Sequence, residues 1–348
     1  MKKLFDKQKH WQINKINKEL LRRTKKNKGI RKRNTNQLNS SSHSQINHAK
    51  IKHSHTVRLT APTILSVFQD PTETLRFFNT VRDKVKTATV NTELFFDLSN
   101  IKIVSIDSVM YLIAIIRNTK KIKSLHIQCL GNMPADPKAR HVIESSGFYR
   151  YVSPLYKYNK QKIHDSINIT QGIDADSVLA ASICDFVHFH STLGIKETRP
   201  LYKMILELMA NTKQHAYNQN NVMDRNWYVY VEDNNDYLSF IFLDTGLGIP
   251  NTIKTKNIFE KIKETFDLDD AFFIASAFDV SQMRSETKLS YRGKGLPEIY
   301  KRIKESYIED FSVVSGKGKC DFSNNGVITK TNMNNSIEGT MLCWKLNK

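Results

Sequence analysis

The stretch Glu207-Leu-Met-Ala-Asn-Thr-Lys-Gln-His-Ala216 decides how this chain is read. It continues a segment in which Leu201, Met204, Ile205, Leu208 and Met209 recur at intervals of three and four, the period of a helix with one buried face. The spacing predicts a helix over 199–217, with Glu207, Asn211 and His215 stacked four apart along a neighbouring stripe. A carboxylate four residues ahead of an asparagine can set a general base beside an amide that holds a hard cation. Such a stripe is also the ordinary solvated face of a helix, so the segments around it must arbitrate.

Downstream, 227–232 and 238–243 (LSFIFL) read as adjacent strands joined by the turn-forming Asp233-Asn234-Asn235-Asp236. The second strand runs into Asp244-Thr245-Gly246-Leu247-Gly248-Ile249-Pro250, whose glycines allow positive φ and close approach of backbone to a ligand. Arg292-Gly293-Lys294-Gly295-Leu296 then precedes a helix over 297–304, and the free N–H groups at a helix start favour phosphate. A closing strand over 338–344 carries Gly339-Thr340. Upstream, 176–189 reads as a helix with Val178, Leu179, Ile183, Phe186 and Val187 on its apolar side.

In this order the set resembles the GHKL ATPase superfamily over roughly residues 175–348: gyrase B, MutL, the histidine kinase catalytic domains and the anti-sigma-factor serine kinases. The resemblance implies a Bergerat-type ATP-binding domain, a mixed sheet covered by helices on one face. It implies that Asn211 coordinates Mg²⁺, that Asp244 accepts from the adenine amino group and that Thr340 supports adenine recognition through water. Gly246 and Gly248 would hinge a mobile lid over 251–291, with Arg284 and Thr287 near its end. Gly293 and Gly295, in the box ending at Leu296, would offer N–H groups to the phosphates, with Lys294 or Arg292 as charge partners. Glu207 takes the catalytic position. In hydrolytic members a Glu there activates water, and in the anti-sigma serine kinases it activates a protein hydroxyl. His215 reads as a packing neighbour. His188 and His190 lack the His-Glu/Asp…Pro pattern of a histidine autokinase.

The segment 57–155 alternates strand and helix signals, which gives an α/β layer. Residues 57–59, 93–98 (ELFFDL) and 125–130 (LHIQCL) read as strands. Helices are expected from Pro71 onward, with Leu75, Phe78, Val81 and Val85 inward, then over 109–117, and over 135–146 with Gly147 as C-cap. The motifs Phe96-Asp97-Leu98-Ser99, Ile106-Asp107-Ser108 and Glu144-Ser145-Ser146-Gly147-Phe148 resemble a STAS domain, the module of anti-sigma-factor antagonists. That resemblance implies a regulatory domain in which Ser108 stands where a partner kinase phosphorylates. On residue chemistry alone, Asp107 or Ser108 is equally a helix cap.

The bulk numbers fit this division. The 348 residues suit two domains and a tail, and the net charge of +19 is concentrated at the start. Residues 1–60 hold 17 Lys/Arg against 2 Asp/Glu, whereas the remainder holds 36 against 32. The organisation expected is a basic, disordered tail over 1–56, the STAS-like domain over 57–155, a linker over 156–174 and the ATP-binding domain over 175–348. Within the tail, Trp11, Ile13, Ile16, Leu20 and Leu21 could line a helix bearing Lys15, Lys18, Arg22 and Arg23. A solvated extension, nucleic acid phosphates and an anionic membrane surface all remain open for it. Cysteines 129, 184, 320 and 343 form no C-x-x-C pair, so free thiols are expected. No apolar run reaches the ~18 residues of a bilayer span, and no export signal is read, so a soluble cytoplasmic protein is expected. The function expected is Mg²⁺-dependent ATP hydrolysis that drives a switch in self-association or partner binding. The alternatives are a serine/threonine kinase of a partner-switching pathway and a nucleotide sensor with a nucleic-acid-binding tail.

Overall fold

The computed structural model describes residues 55–148, 166–214, 223–254, 268–279, 295–304 and 307–348. The tail over 1–54, His215, Arg284, Thr287, Arg292, Gly293 and Lys294 lie outside them.

The first unit is built on a parallel three-stranded sheet, β1 (His55–Thr60), β3 (Thr92–Asp97) and β5 (Gln128–Gly131), in the order β1-β3-β5. Parallel neighbours need crossover connections. Here these include α1 (Pro71–Thr87), α2 (Ile106–Asn118) and α3 (Lys120–Ser124), with α4 (Pro137–Ser145) following β5. Two short strands, β2 (Ile64–Leu65) and β4 (Ile103–Val104), form a separate parallel pair. Helix α1 starts where Asp70 accepts the Glu73 N–H and Pro71 fills the first turn, and it buries Leu75, Phe78, Val81 and Val85 as their spacing predicts. Gly147 follows α4 at φ +86°, the left-handed C-cap expected of it.

The second unit is a five-stranded sheet in the order β6-β7-β8-β10-β9. Its strands are β6 (Ser166–Gly172), β7 (Trp227–Asn234), β8 (Tyr237–Asp244), β9 (Ile308–Phe322) and β10 (Ile328–Asn347). Every neighbouring pair is antiparallel, which corrects the expected mixed sheet. Strand β6 falls inside the stretch read as linker and pairs with β7 at the sheet edge. A two-residue turn joins β7 to β8, with Asn235 in the positive-φ region that tight hairpins demand.

The helices are α5 (Ser177–His190), α6 (Ile195–Gln214), α7 (Ile249–Lys254), α8 (Asp270–Phe278) and α9 (Gly295–Lys304). They share one core with Trp227, Val229, Val231, Phe240, Phe242, Leu342 and Trp344 of the sheet. The alternate residues Tyr228, Tyr230, Leu243, Val314 and Met341 belong to the core of the first unit, with Phe78, Met110 and Tyr111. The first unit therefore covers the sheet face opposite the helices, which corrects the expectation of a sheet covered on one face. Strands buried on both faces are apolar at every position, which accounts for the unbroken run from Trp227 to Val231. It accounts equally for α2, whose residues 106–115 are all buried: one side meets its own sheet and the other meets the second.

Helix α8 also revises the lid. All residues from Ala271 to Phe278 are buried, and Asp269 caps the helix by accepting the Phe272 N–H at 2.7 Å. A helix so enclosed is core, so a mobile lid cannot run unbroken over 251–291. Among the described residues, no helix is long and apolar enough to cross a membrane. The four cysteines are free thiols, as expected.

Candidate functional site

Helix α6 fixes the first side of the site. Its buried face, Leu201, Met204, Ile205, Leu208 and Met209, locks the helix onto the core. Glu207 and Asn211 are consequently held one turn apart on the flank. The Glu207 carboxylate lies against Gly295, the first residue of α9, so closely that a Cβ there would collide with Glu207 Oε1. A larger residue there would make the Glu207 side chain swing away from the start of α9. The Asn211 Nδ2 is buried and has no hydrogen-bond partner among the described residues. A buried amide left so costs about 1–3 kcal/mol.

The opposite side is the paired ends of β8 and β10, where Thr340 stands directly across from Asp244. Asp244 accepts the Gly246 N–H at 2.8 Å, closing the turn that starts the glycine stretch. Burial pushes its carboxyl up from 3.8 to about 6, against the pull of hydrogen bonds from Gly246 N–H and the Thr340 hydroxyl. Gly339, at φ +92°, lets β10 cross Asp244: a Cβ there would run into the Asp244 carbonyl oxygen. Gly248 has φ +81°, and a Cβ on it would sit 2.8 Å from Ser315 Oγ and 2.9 Å from the Gly339 carbonyl oxygen. These two glycines are demanded by backbone shape and by crowding together.

Between the two sides is one cleft. Asn211, Asp244, Gly246, Gly248, Leu296 and Thr340 all line it, with apolar walls from Leu208, Phe242, Ile253 and Leu342. Residues from four separate stretches of sequence thus meet at a single place. Glu207 does not line the cleft itself but stands one helical turn away, beside the start of α9. Ser108 is elsewhere, fully buried in the first turn of α2, where its hydroxyl donates to Asp107 Oδ1 at 2.7 Å. Asp107 does not cap its own helix: it accepts from Val67 N–H at 3.1 Å and Ser66 Oγ at 3.2 Å, tying a neighbouring loop to the helix start.

Thr212 and Thr252, which line the cleft, and Ser315 beside it went unread in the sequence. Ser315 on β9 donates to the Gly339 carbonyl at 2.8 Å, accepts the Ile249 N–H at 2.9 Å and sits 3.1 Å from Thr340 Oγ1. It joins the glycine stretch after β8 to the Gly339-Thr340 turn. Ser315's only signal was its place after Phe311-Ser-Val-Val, a short run rich in strand-forming residues.

Chemically, the cleft, about 60 Å³ as it stands, offers apolar walls, one anionic acceptor in Asp244 and the hydroxyls of Thr212, Thr252 and Thr340. A carboxylate in such a setting accepts from a hydrogen-bond donor of the ligand, and a ligand without one leaves that acceptor unmet. Among the described residues, no group of three or more His, Cys, Asp or Glu could hold a metal ion. Asn211 could take one only as a single oxygen ligand beside a ligand's own oxygens, an arrangement suited to magnesium. The orphaned amide fits that role, since turning it over exchanges nitrogen for oxygen. No protein-family model matches this chain, and no curated protein matches it either.

Proposed function

We propose that the chain is a magnesium-dependent ATPase of the GHKL type, with adenine seated against Asp244 and Thr340 and the phosphates directed toward Asn211 and the start of α9. The observation that carries this reading is the convergence of Asn211, Asp244, Gly246, Gly248, Leu296 and Thr340 on one cleft, with Glu207 beside Gly295. Asp244 accepts from the adenine amino group, and Thr340 holds that carboxylate in place. Asn211 supplies the amide oxygen for magnesium, which neutralises phosphate charge when bound. Glu207 orients a water toward the γ-phosphorus and accepts its proton. The new P–O bond forms as the bond to the bridging oxygen breaks, giving ADP and phosphate.

Water is preferred over Ser108 as the nucleophile. Ser108 is fully enclosed and bonded to Asp107, so phosphorylating it would require α2 to leave the sheet it lies on. The test is ATP turnover and ATP affinity on the full chain with Mg²⁺. Glu207→Gln should lower kcat by about 10²–10⁴ while leaving affinity in place. Asp244→Ala should lose ATP binding. Undiminished turnover in Glu207→Gln would overturn the role given to Glu207, and ATP affinity unchanged in Asp244→Ala would overturn the site.

A further inference from the structure

The first unit holds the backbone ahead of Thr340 directly, and it reaches the segment carrying Asp244 through Asp224.

The first hold is on β10 just ahead of Gly339-Thr340. The Glu338 N–H donates to the Tyr111 hydroxyl of α2 at 2.9 Å. Arg82 of α1 donates from Nη2 to the Ser336 carbonyl at 2.9 Å and to Ser336 Oγ at 3.2 Å, and its Nη1 lies 3.4 Å from Glu338 Oε1. Asn79, one turn before Arg82, donates to Asn335 Oδ1 at 3.0 Å. The Arg82 side chain is only 12% exposed, so these bonds are shielded from competing water. β10 is irregular here, with register shifts against β9 between Asn332 and Ile337 and between Ile337 and Thr340. Where ladder pairing lapses, the side chains of the first unit take over the positioning.

The second hold is on Thr245, next to Asp244. The Asn118 carbonyl, at the end of α2, accepts the Asp224 N–H at 2.8 Å, and Asn118 Nδ2 donates to the Tyr228 hydroxyl at 2.8 Å. Thr245 Oγ1 in turn donates to the Asp224 carbonyl at 2.6 Å, and the Thr245 N–H donates to the Asn226 carbonyl at 2.9 Å. One face of α2, Tyr111 and Asn118 two turns apart, thus reaches the first segment directly and the second through Asp224. A groove of about 730 Å³ runs from Arg82 and Lys86 past Ser336 and Glu338 to Thr245, Gly246 and Leu247, so the docking surface and the cleft share a wall.

We propose that Tyr111 and Arg82 are positioning residues for the base-binding end of the cleft, so that seating of the first unit on the sheet sets nucleotide affinity and base preference. This rests on the ATP-site reading above. Undocking the first unit frees residues 336–338, which lead into Gly339-Thr340 and set how that turn is presented to the cleft, and leaves the chemistry at Glu207 untouched. By reciprocity, bound nucleotide favours the docked arrangement by the same factor.

The experiment compares full-length wild type with Tyr111→Phe, which keeps the ring packing, with Arg82→Ala and Arg82→Lys, and with Arg76→Ala on the exposed face of the same helix. Tyr111→Phe and Arg82→Ala should each raise the Kd for ATP about fivefold or more and narrow the preference for ATP over GTP. At saturation kcat should stay within about twofold of wild type. Arg82→Lys should recover part of the loss, and Arg76→Ala should match wild type. A merely structural role would lower the active fraction, and so kcat, for both nucleotides alike. Amide hydrogen exchange without nucleotide gives a second measure: protection over 336–340 should fall in Tyr111→Phe and Arg82→Ala while that of α6 holds. Wild-type affinity with wild-type exchange in both variants would overturn the inference and leave the ATP site standing. Failure of the wild-type chain to bind ATP would overturn that site, and this inference with it.

Discussion

At the scale of single residues, Asp244 shows the tension between a stable cleft and a useful one. Its carboxyl titrates at about 6 rather than 3.8 because the cleft strips it of water. The folded chain therefore holds this proton to a higher pH than the unfolded chain does. Its contribution to stability is fully present below about pH 4, is lost as pH rises through about 6, and stays lost at neutral pH. Asp244 is half-buried and open to the cleft, so the cost at pH 7 is set at about 1–2 kcal/mol, below the full value of a two-unit shift. Asp244→Asn keeps an oxygen for the Gly246 N–H and removes the charge. Urea unfolding without nucleotide should find it more stable than wild type at pH 7 by about that amount, with the gain absent at pH 4. A variant less stable than wild type at pH 7 would show that the carboxylate is held favourably. Asp244 was legible in the sequence because an acid leading two glycines at a strand end is a local pattern. Asp97 in Phe96-Asp97-Leu98-Ser99 was legible only as part of a resemblance. In the fold it organises a loop, accepting from Ser99 Oγ, Asn132 Nδ2 and Arg58 Nη2 at 2.7 Å each.

At the scale of elements, the longer amphipathic helices followed their patterns, while the short strands β2 and β4, the edge strand β6 and the long strand β9 did not announce themselves. Capping and periodicity gave α1, α4, α5 and α6 within a few residues. Strand β9 was not read at all. Its Ser315-Gly-Lys-Gly-Lys319 centre has the composition of a loop, and what makes it a strand is pairing with β10 along nearly its whole length. For α2, the unbroken apolar run gave the helix but left open what lay on its far side. Ala114, wholly buried between Tyr111 and Asn118 in helical spacing, is a sensitive probe of that side. Ala114→Phe adds volume where none is free and should cost about 1–3 kcal/mol, seen as a lower midpoint in thermal unfolding. ATP affinity should fall in the same variant, because Tyr111 and Asn118 flank the wedge. Unchanged thermal stability would mean that this face of α2 is not packed.

At the scale of the whole molecule, the decisive feature is the sheet with both faces covered. No local pattern encodes which surface will cover a sheet, since docking is decided by contacts between residues over a hundred positions apart, such as Tyr111 with Glu338. The sequence nonetheless held the hint in the alternate positions of its strands, Tyr228, Tyr230, Leu243 and Met341, which are as apolar as those facing the helices. Each large side chain so covered is worth about 1.5–3 kcal/mol, so the first unit contributes substantially to the stability of the second. An excised fragment of residues 166–348 would expose Tyr228, Tyr230, Leu243, Val314 and Met341 together, a contiguous apolar face of the kind that drives self-association. It should elute as aggregates or oligomers in size-exclusion chromatography, and whatever monomer remains should bind ATP more weakly than the full chain. Supplying residues 55–148 in trans should restore both properties, because the missing cover is a surface rather than a covalent link. A fragment that stays monomeric and binds ATP with full-length affinity would show that the sheet face tolerates water and that the cleft is set without the first unit.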